Sequence, residues 1–354
     1  MRRAILGIVV FSLSIEAVRA PQVHANILRK GKDRLTNAKD KLTNLASYTG
    51  PTIRLDVPIA RRNLQKTLDF LTQTYGEDPR FFLFNEAGKL SVPIAKIARG
   101  IDGMYANNIG SLRDLSDEGV LGGGSKRKKI DVKVANWNEA GLLGVIGIFQ
   151  DHHVKSGVVV NSIEDANYLS AAASVANVKN FPVSIRVQNP FHEDRGIALD
   201  DLQQIVHRFY NHPHLAFDGV MVHGKYPSRR VQKQVDLVKA VLQEADRLKN
   251  RFKLENFKVD LGGSSWLAGM DASAVKNHPE LDIGFHALSS ILGGKHWVDR
   301  VFGTQNALSA TRNGKTISVP DLMEKRDIET FGKLLGEAKL IKSDDQEAIV
   351  QLKK

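Results

Sequence analysis

Eight short apolar runs recur between residues 80 and 290, and most of them are followed by a stretch whose apolar residues have helical spacing. Eight units of strand followed by helix are the number that closes a (β/α)8 barrel. We therefore predict an α/β protein built on a TIM barrel. The predicted strands are Arg80–Asn85, Gly103–Ile109, Gly144–Phe149, Gly157–Ser162, Val183–Pro190, Phe217–Gly224, Phe257–Ser265 and Leu281–Leu288.

The length of the chain, 354 residues, suits one barrel with extensions better than two equal domains. We place the barrel at residues 52–290. A C-terminal helical extension is expected at 291–354, with a loop at 311–316, a helix at 319–335 and a charged helical tail. The chain contains no cysteine, which excludes disulfides, thiolate metal sites and cysteine nucleophiles.

The N-terminal residues have features of a targeting sequence. Residues 1–25 begin with two arginines and an apolar run that is too short for a confident membrane span. Residues 26–51 form a basic helical extension, since Leu35, Ala38, Leu42 and Leu45 recur at helical spacing. We expect a mitochondrial presequence, with a secretory signal or a short membrane anchor as the alternatives.

The net charge of +11 and the pI near 9.6 favour an acidic partner, such as RNA, anionic lipid or an acidic protein surface. The general basicity of mitochondrial matrix proteins explains the same numbers. A glycine-rich, basic stretch at 121–138 is predicted as an inserted interaction loop, because a barrel unit needs few residues there. Lys133 and Trp137 would join its basic run in gripping RNA or an acidic protein. That run is Lys126, Arg127, Lys128 and Lys129.

The triplet Asp151-His152-His153 invites a metal site, but neighbouring residues point in different directions, so we predict none. The strand ends are more informative, because the carboxyl ends of barrel strands face the active-site mouth. Arg186 lies on the predicted fifth strand, and the sixth ends at His223. Glycines and serines follow the seventh strand, at the place where such barrels commonly bind phosphate.

Six segments in order resemble the pyridoxal-phosphate (PLP) barrels of fold type III. That family comprises the alanine racemase N-terminal domain, D-threonine aldolase, D-serine dehydratase and the PLP-homeostasis proteins. The segments are TIRLDVPIARRNL, GIDGMYANNIGSLRDLSDEGV, VVVNSIEDANYLSAAAS, HLAFDGVMVHG, DLGGSSWLAGM and HPELDIGFHALS. The resemblance covers residues 52–290 and implies a barrel of the alanine racemase N-terminal type.

The resemblance implies a PLP cofactor, an aldimine to a lysine at the end of the first strand, and chemistry at the α-carbon of an amino acid. Ser264 and Ser265 would contact the cofactor phosphate, and Arg186 would form part of the pocket wall. The pocket positions carried over from the family are His223, Gly263, Ser264, Ser265, Gly284 and Arg186.

The chain departs from the family at the cofactor lysine. The family position aligns with Asn85–Ala87, which contains no lysine, and Glu86 would repel a phosphate. Lys89 is the remaining candidate for a Schiff-base lysine and needs a rebuilt strand-to-helix loop to reach the cofactor. The family's C-terminal β-domain and the metal ligands of the aldolase branch also look absent.

Two hypotheses follow. The first is a non-catalytic PLP-barrel-like accessory subunit of a large mitochondrial assembly, either a respiratory or ATP synthase complex or the mitoribosome, with other protein subunits as partners and a vestigial or absent cofactor. The alternative is an active PLP-dependent racemase, aldolase or dehydratase, or a PLP-binding homeostasis protein. A barrel interior filled by Phe82, Tyr105 or Trp266 favours the first. A pocket lined by Ser264, Ser265 and His223, with Lys89 pointing in, favours the second.

Overall fold

The described part of the chain covers the barrel and a second sheet. The computed structural model describes residues 48–77, 79–85, 88–90, 92–94, 100–121, 130–152, 157–191, 195–224, 231–255, 257–262, 278, 281–292, 307–312, 315–319, 328–336 and 338–353. Several predictions lie outside these residues. They concern the segment 1–25, most of the extension 26–51, the basic run Lys126–Lys129, the phosphate-side Gly263, Ser264 and Ser265, and Trp266.

A strand β1 (Thr52–Asp56) precedes eight parallel strands that close into a barrel in chain order, which confirms the predicted fold. The barrel strands are β2 (Arg80–Phe84), β3 (Gly103–Ala106), β4 (Asp131–Val134), β5 (Val158–Val160), β6 (Phe181–Val187), β7 (Leu215–His223), β8 (Lys258–Gly262) and β9 (Leu281–His286). β9 pairs with β2 through five residues, from Arg80 opposite Asp282 to Phe84 opposite His286, and this pairing closes the ring.

The described helices surround the barrel. They are α1 (Val57–Tyr75), α2 (Ile109–Asp117), α3 (Glu139–His152), α4 (Ile163–Val175), α5 (Leu202–Tyr210), α6 (Val231–Phe252), α7 (Ala287–Leu292) and α8 (Ile328–Gly336). Short polar side chains start three of them. Asp56 accepts a hydrogen bond from the amide of Ile59 in α1, and Ser162 does the same for Asp165 in α4. Asn108 caps α2 in the same way. No helix in the described ranges has the length and apolarity needed to cross a membrane.

The third strand differs from the prediction. Residues 144–149, expected as a strand, lie inside the helix α3, and the third barrel strand is β4, within the stretch interpreted as an inserted loop. Residues 140–149 carry no charge, so their pattern fits a buried strand and a buried helix equally well. The prediction of an insertion at 121–138 is therefore wrong for its second half, which supplies a normal barrel strand, and residues 122–129 lie outside the described residues.

The C-terminal region is a correction as well. It was predicted to be helical, but four strands accompany the helix α8: β10 (Leu308–Arg312), β11 (Lys315–Ser318), β12 (Lys339–Ser343) and β13 (Glu347–Gln351). They form an antiparallel sheet in the order β11-β10-β1-β13-β12, so the opening strand β1 lies at its centre. Most side chains on β12 are exposed. The strand therefore lacks the buried apolar face by which a strand is recognised in a sequence.

The hydrophobic core has two parts. The larger lies between the outer face of the barrel and the helices, where Leu64, Leu68 and Leu71 of α1 are buried as their spacing predicts. The amide of Asn63 in α1 donates a hydrogen bond to the carbonyl of Ile291 in α7 at 2.8 Å, which ties the first helix to the last barrel unit. The smaller part lies inside the barrel and decides what the barrel can bind.

Candidate functional site

Aromatic side chains fill the upper half of the barrel interior. Alternate residues of β2 face inward, namely Arg80, Phe82 and Phe84, and the last of these is the final residue of the strand. Phe82 and Phe84 form a buried cluster with Tyr105, Val159 and Met221. The inside of the barrel is thus a packed core at the level where the strands end.

Phe84 occupies the centre of the mouth. Its ring is edge-on to the ring of His223, with centroids 5.2 Å apart, and is stacked on His286 at 5.5 Å. Two glycines make room for it. A Cβ added to Gly284 would lie 2.4 Å from Cε2 of Phe84, and one added to Gly262 would lie 3.0 Å from its Cζ. The structure therefore brings the predicted pocket residues His223 and Gly284 together, but around a protein side chain.

The other mouth residues join neighbouring strands. Arg186 on β6 is buried, and its Nη1 donates to the side-chain oxygen of Asn161 after β5 at 3.4 Å. The amide of Asn189 after β6 donates to the carbonyl of His223 at 2.7 Å. Arg186 thus lies on the wall of the mouth, as predicted, and the asparagines that link these strand ends were not singled out from the sequence.

Lys89 does not enter the barrel. It lies in the short turn of 3₁₀ helix Gly88–Leu90, and its Nζ forms an ion pair with Asp114 of α2, outside the strands. Burial lowers the pKa of Lys89, and the acids Asp117 and Glu118 oppose that shift. Asn85 is buried and belongs to the strand-end hydrogen bonding, since its carbonyl accepts from the side-chain amide of Asn107 at 2.6 Å.

Beneath the aromatic cluster, the lower half of the barrel holds a network of six charged side chains. Nζ of Lys133 donates to both carboxylate oxygens of Asp260, at 2.9 and 2.7 Å, and to Asp282 at 3.3 Å. Arg80 binds Asp282 through two nitrogens, at 2.8 and 2.6 Å, and Asp131 through a third at 2.9 Å. The members are Arg80, Asp131, Lys133, Asp218, Asp260 and Asp282.

The environment shifts the pKa values of this network in different directions. Burial raises the pKa of Asp260 to about 7, and Lys133 opposes this while Asp282 adds to it. Burial acts in the same direction on Asp282, but the cations Lys133 and Arg80 outweigh it and lower the pKa of that carboxyl. Burial would lower the pKa of Lys133, and its carboxylate neighbours raise it instead, so the ammonium stays protonated.

Lys133 is the largest error of the site prediction. The sequence interpretation placed it on an exposed interaction loop with Trp137, but it is buried in the barrel, and the indole nitrogen of Trp137 donates to the carbonyl of Val159 at 2.8 Å. The signal that identifies the network is a charged residue at an inward position of an otherwise apolar strand, as at Asp260 and Asp282.

Comparison with known proteins gives the fold a context. No family model and no curated protein matches the chain. Solved structures do match. The alanine racemase of Clostridium difficile is 12% identical, has a TM-score of 0.57, and the match covers 86% of this chain and 83% of that one. The fold is that of the alanine racemase barrels. Two further structures agree, at TM-scores of 0.55 each.

One is the D-threonine aldolase of Filomicrobium marinum, which is 12% identical and matches over 85% of this chain and 81% of that one. The other is the diaminopimelate decarboxylase of Helicobacter pylori, which is 10% identical and matches over 89% of this chain and 88% of that one. All three are PLP barrel enzymes of fold type III, which agrees with the resemblance of the sequence motifs. At these identities the likeness establishes the fold of this chain and leaves its activity to the site residues.

The described residues do not fit the cofactor that an alanine racemase-type barrel implies. The inward residue at the end of β2 is Phe84, which has no amine, and its ring fills the centre of the mouth. Lys133, the one buried lysine among the described residues, is held by carboxylates beneath the aromatic cluster. Within the described part of the chain, no group of three or more metal-ligating side chains converges.

Proposed function

We propose that this protein is a non-catalytic descendant of an alanine racemase-type barrel that serves as an accessory subunit of a large assembly. One observation carries the proposal: Phe84, the residue next to the Asn85–Ala87 stretch that aligns with the family lysine, packs inside the barrel between Tyr105, His223 and His286. A phenyl ring forms no imine, and its packing takes up the space that a cofactor ring would need.

Among the described residues, the nearby amines do not replace the missing lysine. The ammonium of Lys89 is paired with Asp114 outside the strands, and that of Lys133 is held by Asp260 and Asp282. A protonated amine is not a nucleophile, and carboxylate neighbours keep Lys133 protonated. The charged network therefore supports a structural role for the barrel interior.

The proposal extends to the assembly and to its location. The arginine-bearing N-terminus and the basic segment 26–51 favour a mitochondrial address, and the net charge of +11 favours acidic partners. We propose membership of a respiratory, ATP synthase or mitochondrial ribosomal complex, in which other subunits, RNA or the membrane surface would contact the basic extensions.

Absorbance spectroscopy tests the missing chemistry. The purified full-length protein is titrated with PLP, treated with borohydride and mapped by peptide mass spectrometry, with an alanine racemase treated identically as the positive control. We expect no aldimine band and no site-specific lysine adduct. A band that borohydride converts to an adduct at Lys89, or at any other single lysine, would show that the barrel carries the cofactor.

The alternative is a protein that binds PLP. It is favoured by His223 and Gly284, which match pocket positions that the resemblance carries over from the family. The spectroscopic experiment separates the two proposals. For the assembly, a tagged chain is followed by cell fractionation and native gel electrophoresis. Migration in a mitochondrial complex with defined subunits supports the accessory role, and migration as a free monomer opposes it.

A further inference from the structure

A groove of about 1020 Å³ opens at the N-terminal ends of the barrel strands, on the face opposite the mouth. Its floor is formed by three members of the charged network, Arg80, Asp131 and Asp218. Its volume lies at the upper end of the range of small-molecule sites. Barrels of this architecture normally place their sites at the other end, so the groove is independent of the filled mouth and of the proposed accessory role.

A β-bulge directs Asp218 towards the floor of the groove. On the neighbouring strand, the consecutive residues Val183 and Ser184 pair with Phe217 and Gly219, which leaves Asp218 as the extra residue of β7. Bulges of this kind bend a strand and re-aim a side chain, commonly next to functional sites. The side chain of Asp218 stays 25% exposed, while Asp260 and Asp282 are fully enclosed.

The floor has an excess of negative charge. The network contains the four carboxylates of Asp131, Asp218, Asp260 and Asp282 and only the two cations Arg80 and Lys133. The ammonium of Lys133 donates hydrogen bonds to Asp260 and Asp282. Its distance to the carboxylate of Asp218 is 3.5 Å, longer than its distances to those two partners. Within the network, Asp218 is the carboxylate whose nearest cation lies farthest away, and it lines the groove.

The wall and the rim differ from the floor. Phe217 and Phe257, with ring centroids 5.6 Å apart, contribute apolar surface to the wall. The rim carries three lysines and one glutamate, namely Lys179, Lys253, Lys258 and Glu255, so its charge is positive on balance. A molecule lying in the groove can therefore meet the carboxylates of the floor, the aromatic carbon of the wall and the ammonium groups of the lysines.

We infer that this groove binds a small zwitterion, with an ammonium or guanidinium group at one end, an apolar spacer and a carboxylate at the other. The cationic end pairs with Asp218 and Asp131, the spacer lies against Phe217 and Phe257, and the carboxylate meets the lysines of the rim. Charge-assisted hydrogen bonds at both ends, joined by an apolar contact, select for this class over a simple amine or a simple fatty acid.

Calorimetric titration of the full-length protein at low salt tests the inference with three probes of similar size. The probes are ε-aminocaproate, hexylamine and caproate. We expect ε-aminocaproate to bind at least about tenfold more tightly than hexylamine, and hexylamine more tightly than caproate, because one charge-assisted contact is worth about a factor of ten. A shorter analogue, γ-aminobutyrate, should bind more weakly because it cannot span both ends.

Two variants locate the binding. Asp218→Asn should weaken ε-aminocaproate and hexylamine alike by about tenfold, since both use the floor. Lys253→Gln should weaken ε-aminocaproate and leave hexylamine unchanged, since only the former reaches the rim. Asp200→Asn, an exposed carboxylate outside the groove, is the matched control. Circular dichroism checks each fold, and the rim variant still decides the matter if the floor variant does not fold.

Three results would overturn the inference: no binding of ε-aminocaproate, equal binding of caproate and ε-aminocaproate, or unchanged affinity in both groove variants. None of them bears on the accessory role, because the cofactor experiment probes the opposite end of the barrel. Conversely, a PLP adduct at the mouth would leave the zwitterion site untouched.

Discussion

The rings of Phe84 and Tyr105 are stacked inside the barrel, with centroids 4.3 Å apart and planes inclined by 13°. Tyr105 is fully buried, and burial together with the nearby carboxylates Asp260 and Asp282 raises its pKa well above the ordinary value. This stack separates the mouth of the barrel from the charged network below it. The interior of the barrel at this level is filled by two protein rings.

Truncating Phe84 should destabilise the protein strongly. Phe84→Ala leaves a cavity between Tyr105, His223 and His286, and we expect the free energy of unfolding to fall by about 3–5 kcal/mol. Denaturant unfolding measures the change. The control is Ile341→Ala on β12, whose side chain is 54% exposed, and it should change stability by less than about 0.5 kcal/mol. Equal effects would show that Phe84 is not a core residue.

Gly284 should tolerate no side chain while Phe84 is present. A Cβ at Gly284 would lie 2.4 Å from the ring, so Gly284→Ala should cost about 1–3 kcal/mol of stability by overpacking. The smaller side chain of Phe84→Leu should relieve the clash, so that the double variant is more stable than the sum of the single effects predicts. A double-mutant cycle measures this coupling, and strict additivity would contradict the contact.

Removing the ammonium of Lys133 should leave buried carboxylates without their cation. Lys133→Met is expected to lower the free energy of unfolding by about 3–5 kcal/mol near neutral pH, since Asp260 and Asp282 stay enclosed. The deficit should shrink as the pH falls and these carboxylates take up protons. Lys339→Met, at an exposed position of β12, serves as the control. A loss that is independent of pH would point to packing as the cause.

Asp260 should make stability depend on pH in an unusual direction. Its pKa is raised to about 7 by burial, so the folded state holds a proton that the unfolded state releases above its ordinary pKa of 3.8. Stability from this group therefore falls as pH rises between those values, by at most about 1.4 kcal/mol per pH unit.

Asp260→Asn removes that proton uptake. Relative to the natural protein, the variant should gain stability as pH rises from about 4 to about 7, and the difference should level off above that range. Urea unfolding at several pH values measures the slope, and carbonyl NMR of the labelled aspartates follows the titration directly. Parallel stability curves for the two proteins would show that Asp260 is ionised throughout.

Much of the fold follows from local patterns. Seven of the eight predicted strands coincide with barrel strands, because a parallel strand buried on both faces is a short apolar run between turns. The eighth failed because α3 is apolar on all sides between Glu139 and Asp151, and such a segment has no period that separates helix from strand. The strand Asp131–Val134 was not predicted, because Asp131 and Lys133 interrupt its apolar pattern.

The candidate site was only partly predictable. The sequence marked His223, Arg186 and Gly284 as pocket residues and showed that a lysine is missing near Asn85. The structure places His223 and Arg186 at the ends of their strands and Gly284 within β9, against the ring of Phe84. The sequence could not show that Phe84 fills the space, because the direction of one side chain depends on the register of the whole strand.

What the sequence by itself determined is the number of barrel strands, the barrel class and the absence of a lysine where the family would have one. These depend on residue type and spacing along the chain. Only the tertiary structure decided that Lys133 is a buried counter-ion and that β1 pairs with β10 and β13 from the far end of the chain. Those facts depend on pairing and charge compensation between distant segments, for which no local period exists.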